Sequence, residues 1–433
     1  MTGPAAGAAW PPRPTIGLLS PCGWGNLGDA AIQDVAIAAV RARWPDGRIV
    51  AFTSNPADTR ERHGVPAFPL SGHAPPNYSI GGRSLPRTAQ PVDAVLARLE
   101  RVAPLRGSAR ALRSASDFVH AEPGHLRLAR RWLREMALLV VSGGGQIDDY
   151  WGGAWGHPYV LWKWSALARS ARVPVAVVSV GLGTLRTSLA QRFARGALVR
   201  ARYRSYRDER TRDGVARLLG ADLGGPVVPD LAFGYRPPPP TSGAIAGADP
   251  TAVGVGPIAY CDPRVWPRKD PRAYRAYVER LGRVVARLTA EGRPVRFFCT
   301  DWGDRPVVED VWAAAGAPAL ASRTPTPTLP DLFAAFAGVG TVIASRLHGV
   351  LLAHLAGRPV AALSYDWKVA RHMEEMQQSA FCLDIEGWDD AALGTALAGL
   401  ERAWAGGEMR ESVARSLAAY RARVDAQFAE VFR

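Results

Sequence analysis

The run Ser345-Arg346-Leu347-His348-Gly349 places an arginine and a histidine two positions apart, between apolar segments whose packing requires neither. A guanidinium presents a planar fork that fits carboxylate or phosphate. The start of a helix adds unpaired N–H groups and partial positive charge. If TVIAS is a strand and GVLLAHLAG a helix, Arg346 and His348 lie at such a start. No Asp or Glu occurs from Leu332 through Tyr365, so the segment reads as built for an anion. A histidine beside a bound anion is favoured in its protonated form and can act as an acid. The bland alternative is a polar junction satisfied within the fold. His354 faces the other way in the helical pattern and reads as structural.

Three other stretches carry residue types that do chemistry. Arg207-Asp208, in SYRDERT, ends a strand and opens a helix; the bland reading is a capping Asp beside a surface arginine. Gly23-Trp24-Gly25-Asn26-Leu27-Gly28 matches the glycine fingerprint of dinucleotide sites. Against that use, the next strand ends in Thr53-Ser54-Asn55 without an acid for ribose, and Asp29 follows the third glycine directly. A tight turn and a substrate loop built on Asn26 and Asp29 stay open beside it. In SGGGQIDDYWGGAWGHPYVLWKW, Gly144 and Gly145 let backbone approach a ligand. Trp151 and Trp155 offer flat faces to sugar rings, and Asp148, Asp149 and His157 could hold hydroxyls, whereas Trp162 and Trp164 read as core. No further acidic or histidine ligand is spaced to help Asp148-Asp149, so no metal is expected.

The elements that must position these residues alternate. TIGLLS, RIVAFTS, MALLVVSGGG and PVAVVSVGLGT read as strands, with AAIQDVAIAAVRARW and YVLWKWSALARSA as helices. Continuous apolar runs ending in glycine are typical of strands covered on both faces of a parallel sheet. After YRPPPPTSGAIAGADP the same alternation restarts. The expected fold is α/β, with two doubly wound Rossmann-like domains facing a cleft. Residues 1–235 form the N-terminal domain, 236–250 the linker, 251–405 the C-terminal domain and 406–433 a C-terminal helix. Residues 71–131, rich in Pro, Gly, Ser and Arg, read as an insertion or mobile arm.

Composition narrows the class. With 48% apolar and 21% charged residues, the chain is that of a soluble globular protein. No apolar run reaches the roughly 18 residues of a membrane span, and MTGPAAGAAWPPRPT reads as a short disordered lead-in rather than a signal peptide. The net charge of +14 is nearly all arginine, the lysines being Lys163, Lys269 and Lys368. These arginines are scattered, which favours small anionic substrates over nucleic acid. Four cysteines without CxxC spacing fit a reducing cytoplasm.

With these residues in place, the chain resembles the polysaccharide pyruvyl transferase family. GWGNLGDAAI, VSGGGQIDD, VSVGLG, SYRDERT, VPDLAF and SRLHGVLLAHLAGRPVAALSYDWKV carry the resemblance, in that order. It implies a glycosyltransferase-B-like fold and transfer of a pyruvyl group from phosphoenolpyruvate to a sugar, glycan or lipid-linked saccharide, forming a ketal and releasing phosphate. Such chemistry belongs to glycan modification, as in exopolysaccharide biosynthesis. By the same resemblance His348 is the general acid. Arg346 and Arg207 hold the phosphate and carboxylate of phosphoenolpyruvate, with Leu347 and Gly349 completing the donor-binding run. The first domain is then the acceptor side and the second the donor side. Phosphoenolpyruvate is a co-substrate, and no cofactor is implied; peripheral membrane contact stays open. The rivals are a nucleotide-sugar glycosyltransferase of the same architecture and a non-catalytic glycan-binding relative.

Overall fold

The computed structural model describes residues 10–23, 25–72, 79–80, 83–84, 106–150, 152–220, 222–239, 248–266 and 268–433. Trp151, the start of the N-terminal lead-in and the middle of the linker lie outside the described residues. By its internal contacts the chain divides into two compact units. The first comprises Met1–Gly23, Ile32–Leu231 and Arg423–Arg433; the second comprises Trp24–Ala31 and Ala232–Ala422. The glycine-rich loop at Trp24–Ala31 therefore groups with the second unit, although its sequence position is in the first half.

The first unit holds β1 (Thr15–Leu19), α1 (Leu27–Arg43, begun in the second unit), β2 (Arg48–Thr53), α2 (Pro56–His63) and β3 (Ala67–Pro69). A small antiparallel pair, β4 (Ser79–Ile80) and β5 (Arg83–Ser84), follows. Then come α3 (Arg106–Arg134), β6 (Leu138–Ile147), α4 (His157–Ala171), β7 (Val175–Leu182), α5 (Ser188–Arg200), β8 (Tyr203–Tyr206) and α6 (Glu209–Leu219). Six parallel strands run in the order β3-β2-β1-β6-β7-β8, with a register shift near the end of β6. This is the doubly wound order, in which ligands sit beyond the carboxyl ends of the strands.

The second unit repeats the plan with β9 (Asp249–Gly256), α7 (Pro271–Ala290), β10 (Val295–Phe297), α8 (Arg305–Ala314), β11 (Ala321–Ser322) and α9 (Leu329–Ala337). It continues with β12 (Val339–Ala344), α10 (Leu347–Leu355), β13 (Val360–Ser364), α11 (Trp367–Glu375), β14 (Cys382–Asp384) and α12 (Asp390–Ala405). Its sheet order is β11-β10-β9-β12-β13-β14. The last helix, α13 (Glu408–Val431), is shared between the units.

Part of the insertion or mobile arm expected at 71–131 is described, and most of that part is helical. Residues 106–134 form one continuous helix despite Pro123. Its inner face buries Ala129 and Leu133 in the core that includes Phe52, Leu139 and Trp164. Polar anchors add to this. Glu122 and Lys163 are each 1% exposed at the side chain and meet at 2.7 Å. The amide of Gly72 donates to Glu122 at 2.9 Å, and Tyr159 OH at 3.1 Å. His125 Nε2 lies 2.9 Å from the carbonyl oxygen of Pro69.

Candidate functional site

In the second unit the site begins where β12 stops. Ser345 donates its amide to the Gly256 carbonyl at 3.2 Å, holding the chain to the end of β9. Arg346 is the N-cap of α10, with extended backbone and no side-chain cap, which frees its guanidinium. The head of α10 has no acidic residue in its first turn. His348 is half-buried on that turn, with its Nε2 buried. The acid-free segment is not acid-free in space, however. Arg346 forms a bidentate pair with Asp304: Nη2 is 2.9 Å from Oδ1, and Nε donates to Oδ2. Asp301 Oδ2 lies 3.9 Å from Nη1.

Asp304 is 1% exposed and also accepts from the Ala259 amide at 2.9 Å. Burial pushes its carboxyl up, and Arg346 opposes this. Burial likewise disfavours the charge on Arg346, yet the carboxylates of Asp304 and Asp301 hold the guanidinium well above its ordinary value. Arg346 is thus a fixed cation, 22% exposed at the side chain. Behind it, Tyr277 OH accepts from the Ile258 amide at 3.1 Å and meets Ser345 Oγ at 3.2 Å.

The glycine-rich loop supplies the other wall. Asn26 Oδ1 accepts from the amides of Gly28 and Asp29, at 2.9 and 3.1 Å, and so caps α1. Its Nδ2 donates to Asp301 at 3.0 Å, while the Leu27 amide donates to the Thr300 carbonyl at 2.8 Å. A Cβ on Gly28 would fall 1.9 Å from His348 Nδ1. Glycine at 28 is therefore the space the imidazole occupies. A Cβ at Gly25 would likewise meet the Trp302 ring at 2.3 Å. The fingerprint spacing makes room for protein side chains, which accounts for it without a dinucleotide. Gly349 differs: a Cβ there would meet Ala344 at an ordinary 3.5 Å.

The first unit holds the remaining expected residues. Arg207 directly follows β8, and its amide donates to Val180 at 2.9 Å. The surface arginine of the bland reading is corrected, because its side chain is only 10% exposed. Nη1 lies 3.4 Å from Asp230, and Nε 3.6 Å from Asp208. Nη2 is buried with no hydrogen-bond partner among the described residues. Asp208 does cap α6, accepting from the Thr211 amide at 2.7 Å.

At the end of β6, Gly144 has φ 76°, a left-handed conformation that suits glycine. Gly145 is exposed with open space around it. Asp148 accepts from the Tyr150 amide at 2.6 Å, and Asp149 from the Arg186 amide at 2.6 Å. The Arg186 bond orders the loop after β7, where Thr184 Oγ1 also lies 3.3 Å from an oxygen of each carboxylate. No cluster of three His, Cys, Asp or Glu able to hold a metal occurs among the described residues. Trp155 is 44% exposed, against Phe118 and Phe193 at 5.0 and 5.6 Å between ring centroids. Trp164 is fully buried and Trp162 half-buried. His354 is 1% exposed and pairs with His372 at 2.9 Å, a structural placement.

Sequence reasoning missed Asp301, Asp304 and Tyr277. The available signal was position: Thr300–Asp304 follows β10, at the carboxyl end of a parallel strand.

Two doubly wound sheets with helices define an α/β, two-domain fold of the glycosyltransferase-B type. Solved structures with similar folds include a putative UDP-N-acetylglucosamine 2-epimerase from Listeria monocytogenes, with 10% identity over 93% of this chain and 91% of that one, TM-score 0.56. The UDP-GlcNAc 2-epimerase from Methanocaldococcus jannaschii is similar at 9% identity over 89% and 92%, TM-score 0.52. A glycosyltransferase from Rickettsia africae matches at 8% over 96% and 94%, TM-score 0.50. No curated protein matches the sequence. The family model for polysaccharide pyruvyl transferase matches residues 26–366, and the chain belongs to that family. It is accordingly a transferase that modifies glycans, with a saccharide as acceptor. No helix among the described residues is long and apolar enough to cross a membrane.

Proposed function

We propose that the chain moves a pyruvyl group from phosphoenolpyruvate to hydroxyls of a saccharide, forming a ketal and releasing phosphate. The observation that carries this reading is the head of α10, where a half-buried imidazole stands two residues from a guanidinium locked by Asp304. His348 gives its proton to the methylene carbon of the donor. The central carbon becomes electron-poor, stabilised by its enol oxygen. A sugar hydroxyl adds there and loses its proton; a second hydroxyl then closes the ketal as phosphate departs. Arg346 is the cation this reading gives the donor, flanked by Leu347 and Gly349. Arg207 stays its second cation, with an Nη2 that has no hydrogen-bond partner among the described residues. Asn26, Asp29, Gly144, Gly145, Asp148, Trp151 and Trp155 stay proposed for acceptor or site-wall roles, and the reaction is placed in the cytoplasm, where phosphoenolpyruvate is made.

The test is phosphate release from phosphoenolpyruvate against a panel of glycosides, with mass spectrometry reading the added pyruvyl group. His348→Ala is expected to lower kcat by about 10²–10⁴, the range for a general acid, with little change in acceptor binding. Unchanged turnover in that variant would remove His348 from its role. Release of a nucleoside diphosphate from a nucleotide sugar, with phosphoenolpyruvate untouched, would replace the donor.

A further inference from the structure

The helical layer formed by α3, α4 and α5 has a charge pattern that the transfer reaction leaves unexplained. These helices pack side by side, α3 on α4 and α4 on α5. From Tyr150 through Arg207 the sequence has no Asp or Glu, and on α3 the acids are Asp117 and Glu122, with none from Pro123 through Arg134. Glu122 is buried against Lys163. Glu135, just past α3, faces Arg48 at 3.8 Å. Against these acid-free stretches stand exposed arginines: Arg127, Arg130, Arg131 and Arg134 on α3, and Arg192 and Arg195 on α5.

Apolar side chains are exposed on the same layer. Of the eight large hydrophobic residues exposed among the described residues, seven fall between Leu112 and Val199. Val119 is 65% exposed, Leu112 59% and Val199 54%. At 100° per residue, Leu112, Val119, Arg130 and Arg134 lie within about 60° of one another on α3. Leu189, Arg192 and Val199 share the outer face of α5 by the same count. Single exposed apolar residues are ordinary; a concentration of them among uncompensated arginines is not.

We propose that this face docks on a lipid surface rich in anionic headgroups. Arginines pair with headgroup phosphates, while Leu112, Val119, Leu189 and Val199 enter the boundary with the acyl chains. Trp155 sits at the same layer, a side chain suited to that depth. A soluble polyanion would use the arginines but leave the aliphatic side chains in water, so the combination selects a membrane. An acceptor saccharide carried on a lipid would then be met at the bilayer. The proposal goes beyond the donor assignment and stands without it.

Sedimentation of the full chain with vesicles tests it. Binding is expected to vesicles containing phosphatidylglycerol, not to phosphatidylcholine alone, and to weaken with salt. The pair Arg130→Gln, Arg134→Gln should lower partitioning about thirtyfold, roughly fivefold for each charge. Leu112→Ser with Val119→Ser should also lower it while leaving net charge and the thermal midpoint unchanged. Equal binding to both vesicle types, or arginine variants that bind as well as the parent, would overturn the proposal. So would serine variants that bind normally while dextran sulfate displaces the protein, which would assign the face to a soluble polyanion.

Discussion

At the scale of single residues, the site is defined by what occupies space beside His348 and what fixes Arg346. Gly28→Ala would set a Cβ 1.9 Å from Nδ1 of the imidazole, so the ring or the loop must shift. Because about 1 Å of misplacement can cost ~10²-fold in rate, kcat should fall by that order. The helix itself tolerates alanine well, so the melting temperature should barely change; an undiminished kcat would detach the loop from the chemistry. Asp304→Asn keeps shape but removes the buried carboxylate that holds the guanidinium. Stability should fall by about 3 kcal/mol, and the KM for the proposed donor, phosphoenolpyruvate, should rise as Arg346 loses its fixed position. Denaturant unfolding and steady-state kinetics read the two effects separately. The sequence marked Arg346 and His348 because both sit in a locally recognisable strand–helix junction. Asp304 was marked only by its position after β10, because its partner is 42 residues away and its own surroundings look like an ordinary turn.

At the scale of elements, α3 shows how tertiary burial overrides composition. A segment rich in arginine and interrupted by Pro123 reads poorly as a helix. It is held because Ala129 and Leu133 join the core and Glu122 closes a buried pair with Lys163. Burial pushes the Lys163 amine down to about 8, with Glu122 acting in the opposite sense. Glu122→Ala would strand that amine in the interior and should cost about 3–5 kcal/mol. Adding Lys163→Met should recover part of the loss, since removing both partners leaves no uncompensated charge. Chemical denaturation of the three proteins decides it; a single variant as stable as the parent would show that α3 is held by its apolar face alone.

At the scale of the whole molecule, buried His354 links stability to pH. Burial pushes its imidazole down to about 4, while Gln378 acts the other way. The unfolded chain binds this proton near pH 6.5, so it carries more protons than the native state between the two values. Stability from this group is therefore complete above about pH 6.5 and lost as pH falls toward about 4, by about 3 kcal/mol in all. Denaturation midpoints across that window should fall in the parent and fall less in His354→Gln. Parallel slopes would assign the acid sensitivity to other groups.

The sequence by itself determined the two α/β halves and the strand–helix junctions at Arg207 and Arg346. Those depend on periodicity and on turn and cap chemistry within a few neighbouring residues. Tertiary structure alone decided that Asp304 grips Arg346, that Gly28 is the hollow for His348, that α3 is a packed helix, and that the Asn26 loop groups with the second unit. The reason is physical: such contacts are set by which strands lie adjacent in a sheet and which side chains that order brings together. No local spacing along the chain encodes that adjacency.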